Sequence, residues 1–410
     1  MKPTQLPKIV LLPKKELPIK LSHPWVFPKA IDEKKSDKLL SLNQNSMVQI
    51  YSSSEEFLGL GVYNPHSLYR IRVLLQENPA FDFNSEQELI KHIFSLKIND
   101  AKNLRKAIAL PNQKTDSYRL FNSESDGLSG MTIDSYAEKY LVIMSYASWV
   151  EYYKETIQIV LQEIFPDFLL IWLPQHKALN QDKAIIAPPT SPFSQNCRIQ
   201  LNEIYYDFPL YTTQKSGVFL DQCSNHIRFG ELARGKRVLD LCCYMGGFSF
   251  QAAKNGAVKV VGIDSSAMAI EHAAKNFSIN KDRLECQDVE FVCDKLENSF
   301  HRVSEFDLIS IDPPKIIPSK KNMHAGENYY KFIHTEIFKQ AKSGTLVMSS
   351  NCSSAMSLDN FCTLIDYCGK KASKKIVFLS TSGANLDHPW VNVFKEGVYL
   401  HNVLFYIKQN

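Results

Sequence analysis

From about residue 196 the chain alternates short apolar runs with amphipathic stretches, and reactive residues recur where the apolar runs stop. Residues 237–241 read as a strand, followed by Gly246-Gly247 and a helix. Residues 259–263 form a second strand ending in Asp264, with a helix over 266–277. A third strand, 306–311, ends in Asp312-Pro313-Pro314. A fourth, 345–349, ends near Cys352, and a helix over 358–370 leads to a strand at 376–379. Strands alternating with helices predict an α/β domain with a parallel, doubly wound sheet. Ligands of such sheets bind beyond the carboxyl ends of the strands, at the switch in strand order. Gly246, Asp264, Asp312 and Cys352 are therefore expected around one site.

The preceding half reads differently. Up to residue 78, short apolar runs such as 9–12 and 47–51 are separated by turn signals at Gly59-Leu60-Gly61 and Asn64-Pro65, which predicts a small β domain. Leu89, Ile90, Ile93, Phe94 and Ile98 recur at helical spacing within 85–110. Ser85 is placed to cap that helix, with Glu88 three residues on. Strands at 131–133 and 141–144 and a helix over 151–164 complete a central α+β region. The proline-rich stretch 187–192 reads as a connector. The expected domains are 1–78, 79–195 and 196–410.

Charge and cysteine content narrow the functional classes. The net charge is only +4, but the first 38 residues hold nine lysines against four acids. Such a local basic surface suits nucleic-acid phosphates, with Lys14, Lys15 and Lys20 as candidate contacts, or is simply a solvated lysine face. No apolar run is long enough for a membrane helix and no signal peptide is evident, so the expectation is a cytoplasmic protein with no membrane partner. All nine cysteines lie at or beyond residue 197, without a Cys-x-x-Cys pair. That argues against a disulfide framework and a cysteine-based zinc site, and no metal is expected.

Several residues carry chemistry by type and place. Glycines at 246 and 247 let backbone approach a ligand and start a helix. Asp264 can accept from two ribose hydroxyls, a pairing suited to an adenosine-type cofactor. Asp288, after the strand-like 284–286, is a candidate acceptor for an adenine amine, or a helix cap. Two prolines after Asp312 stiffen the strand exit and fix the carboxylate against a planar base. Cys352 lies in a polar loop of small residues, where a thiol can act as a nucleophile if its thiolate is favoured. Lys315 is a phosphate contact or a surface lysine, and His388 an RNA contact or a structural histidine.

Together these motifs resemble the ribosomal RNA large subunit methyltransferase I family, class I S-adenosylmethionine-dependent RNA methyltransferases carrying a PUA domain. The resemblance runs along almost the whole chain. It includes Ser123-Glu124-Ser125-Asp126-Gly127-Leu128-Ser129-Gly130, Ser216-Gly217-Val218-Phe219-Leu220-Asp221-Gln222, Gly246-Gly247-Phe248, Asp312-Pro313-Pro314-Lys315, Asn351-Cys352-Ser353, Asp387-His388-Pro389 and Lys395-Glu396-Gly397-Val398-Tyr399-Leu400. It implies an N-terminal PUA-like RNA-binding domain, a small central domain and a Rossmann-like catalytic domain, often as a homodimer. The implied cofactor is S-adenosylmethionine, held by Phe219, Asp240, Gly246, Gly247, Asp264, Asp288, Asp312 and Pro313. The implied partner is large-subunit rRNA, and the implied product is 5-methylcytosine. Three positions depart from the family pattern. Cys223 follows Leu-Asp-Gln where arginine is common, with Arg228 nearby as a substitute. Met245 stands where threonine is usual, and the loop around Cys352 differs in detail.

The expected mechanism has Cys352 add to carbon 6 of cytosine while Asp312 holds the base edge. Pro314 occupies the place where another family of RNA cytosine methyltransferases has a second cysteine. Two rivals share these motifs: a methyltransferase acting on a guanine nitrogen without a cysteine, and a non-catalytic RNA-binding assembly factor. A nicotinamide-dependent oxidoreductase would use the glycine turn and Asp264 but leaves Asp312-Pro313-Pro314 and Cys352 unexplained.

Overall fold

The structure is a computed structural model of the 410-residue chain. It describes residues 6–37, 42–77, 82–186, 196–210 and 217–409. The connector at 187–192, together with Ser216, Lys2 and Lys38, lies outside the described residues. The chain forms two compact units: Met1–Pro192 with Pro389–Gly397, and Phe193–His388 with Val398–Asn410.

The first unit begins with β1 (Lys8–Val10), the short helix α1 (Leu17–Lys20), β2 (Trp25–Val26), β3 (Met47–Tyr51), β4 (Phe57–Tyr63) and β5 (Ile71–Leu75). These strands form one sheet in the order β1-β3-β4-β5-β2. Gly59 and Gly61 are required in β4, since a methyl on either would lie within 2.5 Å of Leu75 O or of the Ile71 side chain.

Next comes α2 (Glu86–Ala107), which buries Leu89, Ile90, Ile93, Phe94 and Ile98. Its start is capped as the sequence suggests: the Glu88 N–H donates to Ser85 Oγ at 3.2 Å. The Glu88 carboxylate accepts from the Asn84 N–H at 2.7 Å, one residue before the usual reciprocal partner. The helix stops three residues short of the expected end. Ala109 turns left-handed at φ 57°, and Pro111 disfavours a helical Leu110.

A second sheet, β6 (Tyr118–Asn122), β7 (Met131–Tyr136), β8 (Tyr140–Ser145) and β9 (Leu169–Pro174), packs with α3 (Ser148–Tyr152) and α4 (Lys154–Ile164), and α5 (His176–Gln181) follows. The single helix expected over 151–164 is broken at Tyr153. That residue is buried, with its hydroxyl 2.8 Å from the Glu86 carboxylate. One buried cluster joins Leu6, Met47, Leu60, Val62 and Leu74 of the first sheet to the α2, α3 and α4 core.

The stretch from Ser123 to Gly130 is a structural brace of this unit. Asp126 takes two hydrogen bonds, at 2.7 and 2.8 Å, from Arg105, which is 1% exposed. Ser129 Oγ accepts from Trp25 Nε1 and Arg72 and donates to Glu124, all within 2.7 Å. Phe394, from the returning segment Pro389–Gly397, packs edge-on against Trp25.

The second unit opens with the hairpin β10 (Asn196–Leu201) and β11 (Ile204–Pro209), then α6 (Cys223–Gly230). It continues through β12 (Arg237–Leu241), α7 (Gly247–Lys254), β13 (Lys259–Asp264), α8 (Ala267–Asn280), β14 (Val289–Cys293) and β15 (Leu308–Ile311). It ends with α9 (Met323–Gln340), β16 (Leu346–Asn351), α10 (Leu358–Lys371), β17 (Lys374–Ser382) and β18 (His401–Gln409). Seven strands form one sheet in the order β14-β13-β12-β15-β16-β18-β17. The five from β14 to β16 are parallel, and β18 runs antiparallel to both its neighbours. The doubly wound sheet expected from the sequence is present, and its strand order reverses between β12 and β15.

The β11 edge is closed by side chains. Asn276 and Asn280, one helical turn apart on α8, accept from the N–H groups of Asp207 and Tyr205 at 2.8 Å. Asn280 also donates to the Tyr205 carbonyl at 2.7 Å. Strand residues two apart and helix residues four apart have nearly matching rises, so two amides can pair a strand edge.

Candidate active site

The turn after β12 carries unusual backbone. Cys242, Tyr244 and Gly246 have φ of 62°, 50° and 87°. Cys242 and Tyr244 thus hold left-handed backbone without being glycine, at a cost of order 1 kcal/mol or more each. Gly247 serves packing: a methyl there would lie 2.3 Å from the His226 ring. Enclosure against Gly247 and Phe248 pushes the His226 pKa down to about 4.

Asp240 corrects an expectation. It does not face a ligand: it is 0% exposed, and its carboxylate accepts from the Ser249 N–H (2.9 Å), the Ser249 hydroxyl (2.6 Å) and the Ser310 hydroxyl (2.5 Å). Burial outweighs these bonds and pushes its pKa up to about 6. It acts through the start of α7, which it ties to β15.

Asp264 ends β13 half-buried. One carboxylate oxygen accepts from the Tyr244 N–H and the other from the Ser266 N–H, each at 2.9 Å. Each oxygen keeps a lone pair, the acceptor pattern that a ribose diol needs.

Asp288 is the second correction. The strand starts after it, at Val289, so Asp288 sits at the amino edge of the sheet, with its carbonyl bound to the Val260 N–H. The residue at the carboxyl end of β14 is Asp294, whose N–H donates to the Asp264 carbonyl at 3.0 Å. Hydrogen bonds from Asn298 and the Lys295 N–H lower its pKa. Sequence reading missed Asp294, although the run Val289–Cys293 before it was the signal.

The β15–β16 ladder ends at the pair Ile311–Ser349, because Pro313 and Pro314 have no N–H to extend it. Asp312 stays tied to β12 through its N–H to the Leu241 carbonyl at 3.2 Å. Beyond the ladder, Cys352 Sγ lies 3.9 Å from the Pro313 carbonyl oxygen and is partly exposed. The thiol and the Asp312 carboxylate thus occupy neighbouring strand ends on the same edge of the sheet.

The loop around Cys352 is braced on both sides. Asn351 donates to the Ser353 and Met356 carbonyls at 3.2 Å, and Ser353 holds the Ile317 carbonyl. The buried Tyr330 hydroxyl reaches the Ser350 carbonyl at 3.4 Å. Gln222 reaches the Ser350 hydroxyl at 3.3 Å and accepts from Asn225 and Asn402. Asp221 accepts from Tyr399 at 2.7 Å, and its carbonyl receives the Asn385 N–H. Motifs spread from residue 219 to 402 therefore converge as a polar scaffold behind the end of β16.

The remaining candidates divide. Phe219 packs edge-on against Tyr244 at 4.9 Å, beside the turn. Pro313 is buried and Lys315 exposed. The His388 side chain is 2% exposed and bound to Asp387 at 2.8 Å, which corrects its reading as an RNA contact. Lys14, Lys15 and Lys20 are exposed on the first unit, Lys20 in an ion pair with Glu56. The Arg228 guanidinium reaches Ser380, and burial raises the Cys223 thiol pKa well above its ordinary value. Among the described residues no His/Cys/Asp/Glu group suits a metal, and no helix is long and apolar enough to cross a membrane.

Comparisons with known proteins agree with this architecture. A PUA-like domain family matches residues 9–76, and a methyltransferase domain family matches residues 232–391. A Photobacterium profundum protein named ribosomal RNA large subunit methyltransferase I is 29% identical over 98% of this chain and 99% of its own length. Proteins of the same name from Aliivibrio fischeri and Yersinia pseudotuberculosis are 29% and 27% identical over 92% and 96% of the chain. A solved Streptococcus mutans structure described as a SAM-dependent methyltransferase superposes with a TM-score of 0.76 at 21% identity, covering 97% of this chain and 99% of that one. A methyltransferase structure complexed with SAH superposes equally well. The chain thus carries a PUA-like domain followed by a methyltransferase domain, and is related over nearly its full length to proteins named ribosomal RNA large subunit methyltransferase I.

Proposed function

We propose that the protein is an S-adenosylmethionine-dependent methyltransferase of large-subunit rRNA that forms 5-methylcytosine through a covalent adduct at Cys352. The observation that carries this reading is the Cys352 sulfur 3.9 Å from the Pro313 carbonyl, beside Asp312. The cofactor-binding residues of this reading are the 242–246 turn, Phe219 and Asp264, with Asp294 replacing Asp288 as acceptor for the adenine amine. The acceptor chemistry at the ends of β13 and β14 fits such a nucleoside. When bound, the cofactor supplies a methyl group on a positively charged sulfur.

The chain's own groups perform the rest. Asp312 accepts from the exocyclic amine of cytosine and, with the rigid Pro313 backbone, fixes the ring. The Cys352 thiolate forms a bond to carbon 6, and the displaced electron pair makes carbon 5 nucleophilic. Carbon 5 would take the methyl group, whose bond to the donor sulfur would break with its electron pair left on that sulfur. Loss of its proton to a base then returns an electron pair to the ring, the carbon–sulfur bond breaks, and the thiolate is restored. A paired target base must first leave its stack, at a cost of a few kcal/mol.

The test combines two readouts on the Cys352→Ala variant. Methylated cytosines in large-subunit rRNA are mapped after incubation with the methyl donor, and RNA containing 5-fluorocytosine is used to trap the adduct. Wild type should methylate and form a denaturant-stable RNA complex, and the variant should do neither. Cytosine methylation retained by the variant rejects the nucleophile. Methylation found on a guanine nitrogen instead supports the rival enzyme.

A further inference from the structure

The amino edge of the methyltransferase sheet carries a dense lysine surface that the reaction does not use. Lys339 and Lys342 lie at and just beyond the C-terminal end of α9. Lys370 and Lys371 end α10, Lys374 and Lys375 start β17, and Lys408 lies in the last turn of pairing on β18. These pieces are contiguous. The Gln409 N–H donates to Ser343 Oγ at 3.2 Å, Lys374 Nζ reaches Gln409 Oε1 at 3.3 Å, and the Ser373 N–H donates to the Lys370 carbonyl. Lys375 and Lys408 are directly opposite each other across the β17–β18 ladder.

Among the described residues, only part of this charge is answered. Lys339 pairs with Glu336 and Lys370 with Asp366. Among the described residues, Lys342, Lys371, Lys374, Lys375 and Lys408 have no ion pair. Helix dipoles explain lysines at 339, 370 and 371, since cations are favoured at helix C-termini. They do not explain 342, 374, 375 or 408, which lie on a loop and on strands. Two like charges facing across antiparallel strands destabilise a free sheet. Five unanswered lysines also exceed the net +4 of the entire chain, so the surface is a local concentration and not a general excess.

We infer that this surface is a phosphate-binding platform for RNA flanking the target base. β16 spans the sheet from the lysine edge at Leu346 to the Cys352 edge, and its six residues cover about 20 Å. The platform therefore holds backbone distant from the reacting base, where phosphate contacts set register and orientation without reading sequence. The inference rests on the rRNA-methyltransferase reading above and adds a second anchoring surface to it.

The experiment uses the full-length protein and large-subunit rRNA fragments, with binding measured across a salt series and methylation measured in parallel. The variants are Lys374→Ala/Lys375→Ala/Lys408→Ala and the charge-reversing Lys375→Glu/Lys408→Glu, each checked for unchanged thermal melting. Each lost phosphate contact should flatten the log-affinity against log-salt slope by about 0.7–0.9. The triple variant should therefore lose about two units of slope and at least about tenfold in affinity, and the reversed pair should lose more. Methylation at saturating RNA should stay near wild type. Wild-type binding and methylation with unchanged slopes in both variants overturns the platform alone. A wild type that neither binds nor methylates rRNA overturns the platform together with the function it rests on. Retained rRNA binding alongside lost binding to anionic phospholipid vesicles also overturns it, in favour of a membrane surface.

Discussion

Replacing Asp240 by asparagine should make the protein less sensitive to rising pH. The carboxyl is fully buried and its pKa is raised to about 6, against 3.8 for the unperturbed group. The raised folded value means that the native state keeps a proton the unfolded chain has already released. Stability from this group is fully present below about pH 4 and is lost as pH rises through about 6. The difference of about two pKa units corresponds to about 3 kcal/mol over the full window. Between pH 4.5 and 7.5 the portion lost is about 2 kcal/mol. An amide at 240 fits the same site, with its oxygen toward Ser249 and its nitrogen toward the Ser310 hydroxyl, and it does not ionise. Urea unfolding of wild type and Asp240→Asn at the two pH values isolates the effect, because every other titrating group is common to both. The wild-type-minus-variant difference should move by about 2 kcal/mol in favour of the variant at the higher pH. No movement, or movement the other way, would refute the assignment of Asp240 as a buried brace of α7. Cofactor affinity measured at pH 5 should change little, since the carboxyl is protonated there in wild type as well.

Three further outcomes are expected. Gly247→Ala should cost about 1–3 kcal/mol, read as a drop in thermal midpoint, because its methyl would meet the His226 ring at 2.3 Å, and the double variant with His226→Ala should recover part of the loss. Asp264→Asn should weaken S-adenosylmethionine binding by about tenfold or more in calorimetry, while RNA affinity stays unchanged. Arg105→Ala should destabilise the first unit by about 3–5 kcal/mol by leaving the buried Asp126 carboxylate without its cation, whereas Arg105→Met/Asp126→Leu should cost much less.

The parallel strands were legible because strands covered on both faces are continuous apolar runs, as in 237–241 and 259–263. The ends of such strands then placed Asp264, Asp312 and Cys352 without further information. Asp288 was misjudged because the alternation in Leu284-Glu285-Cys286 imitates a strand, while the true strand, Val289–Cys293, is half-exposed and interrupted by Glu290. The burial of Asp240 and His388 could not be read, since it depends on Ser249, Ser310 and the fold around Asp387. Nor could the left-handed backbone at Cys242 and Tyr244, where neither residue type announces the conformation. The 151–164 helix looked continuous because nothing in its sequence signals that Tyr153 must reach Glu86, some 67 positions earlier.

The position of β18 has a consequence for how the molecule assembles. It inserts between β16 and β17, yet it is the last of the three to leave the ribosome, after the chain has detoured through Pro389–Gly397. Until residue 401 and those after it emerge, β16, the strand that leads to Cys352, has an open flank, and β17 has nowhere to dock. Truncation a dozen residues from the end would therefore expose two unpaired β edges at once and invite aggregation, while leaving Asp264, Asp312 and Cys352 in the chain.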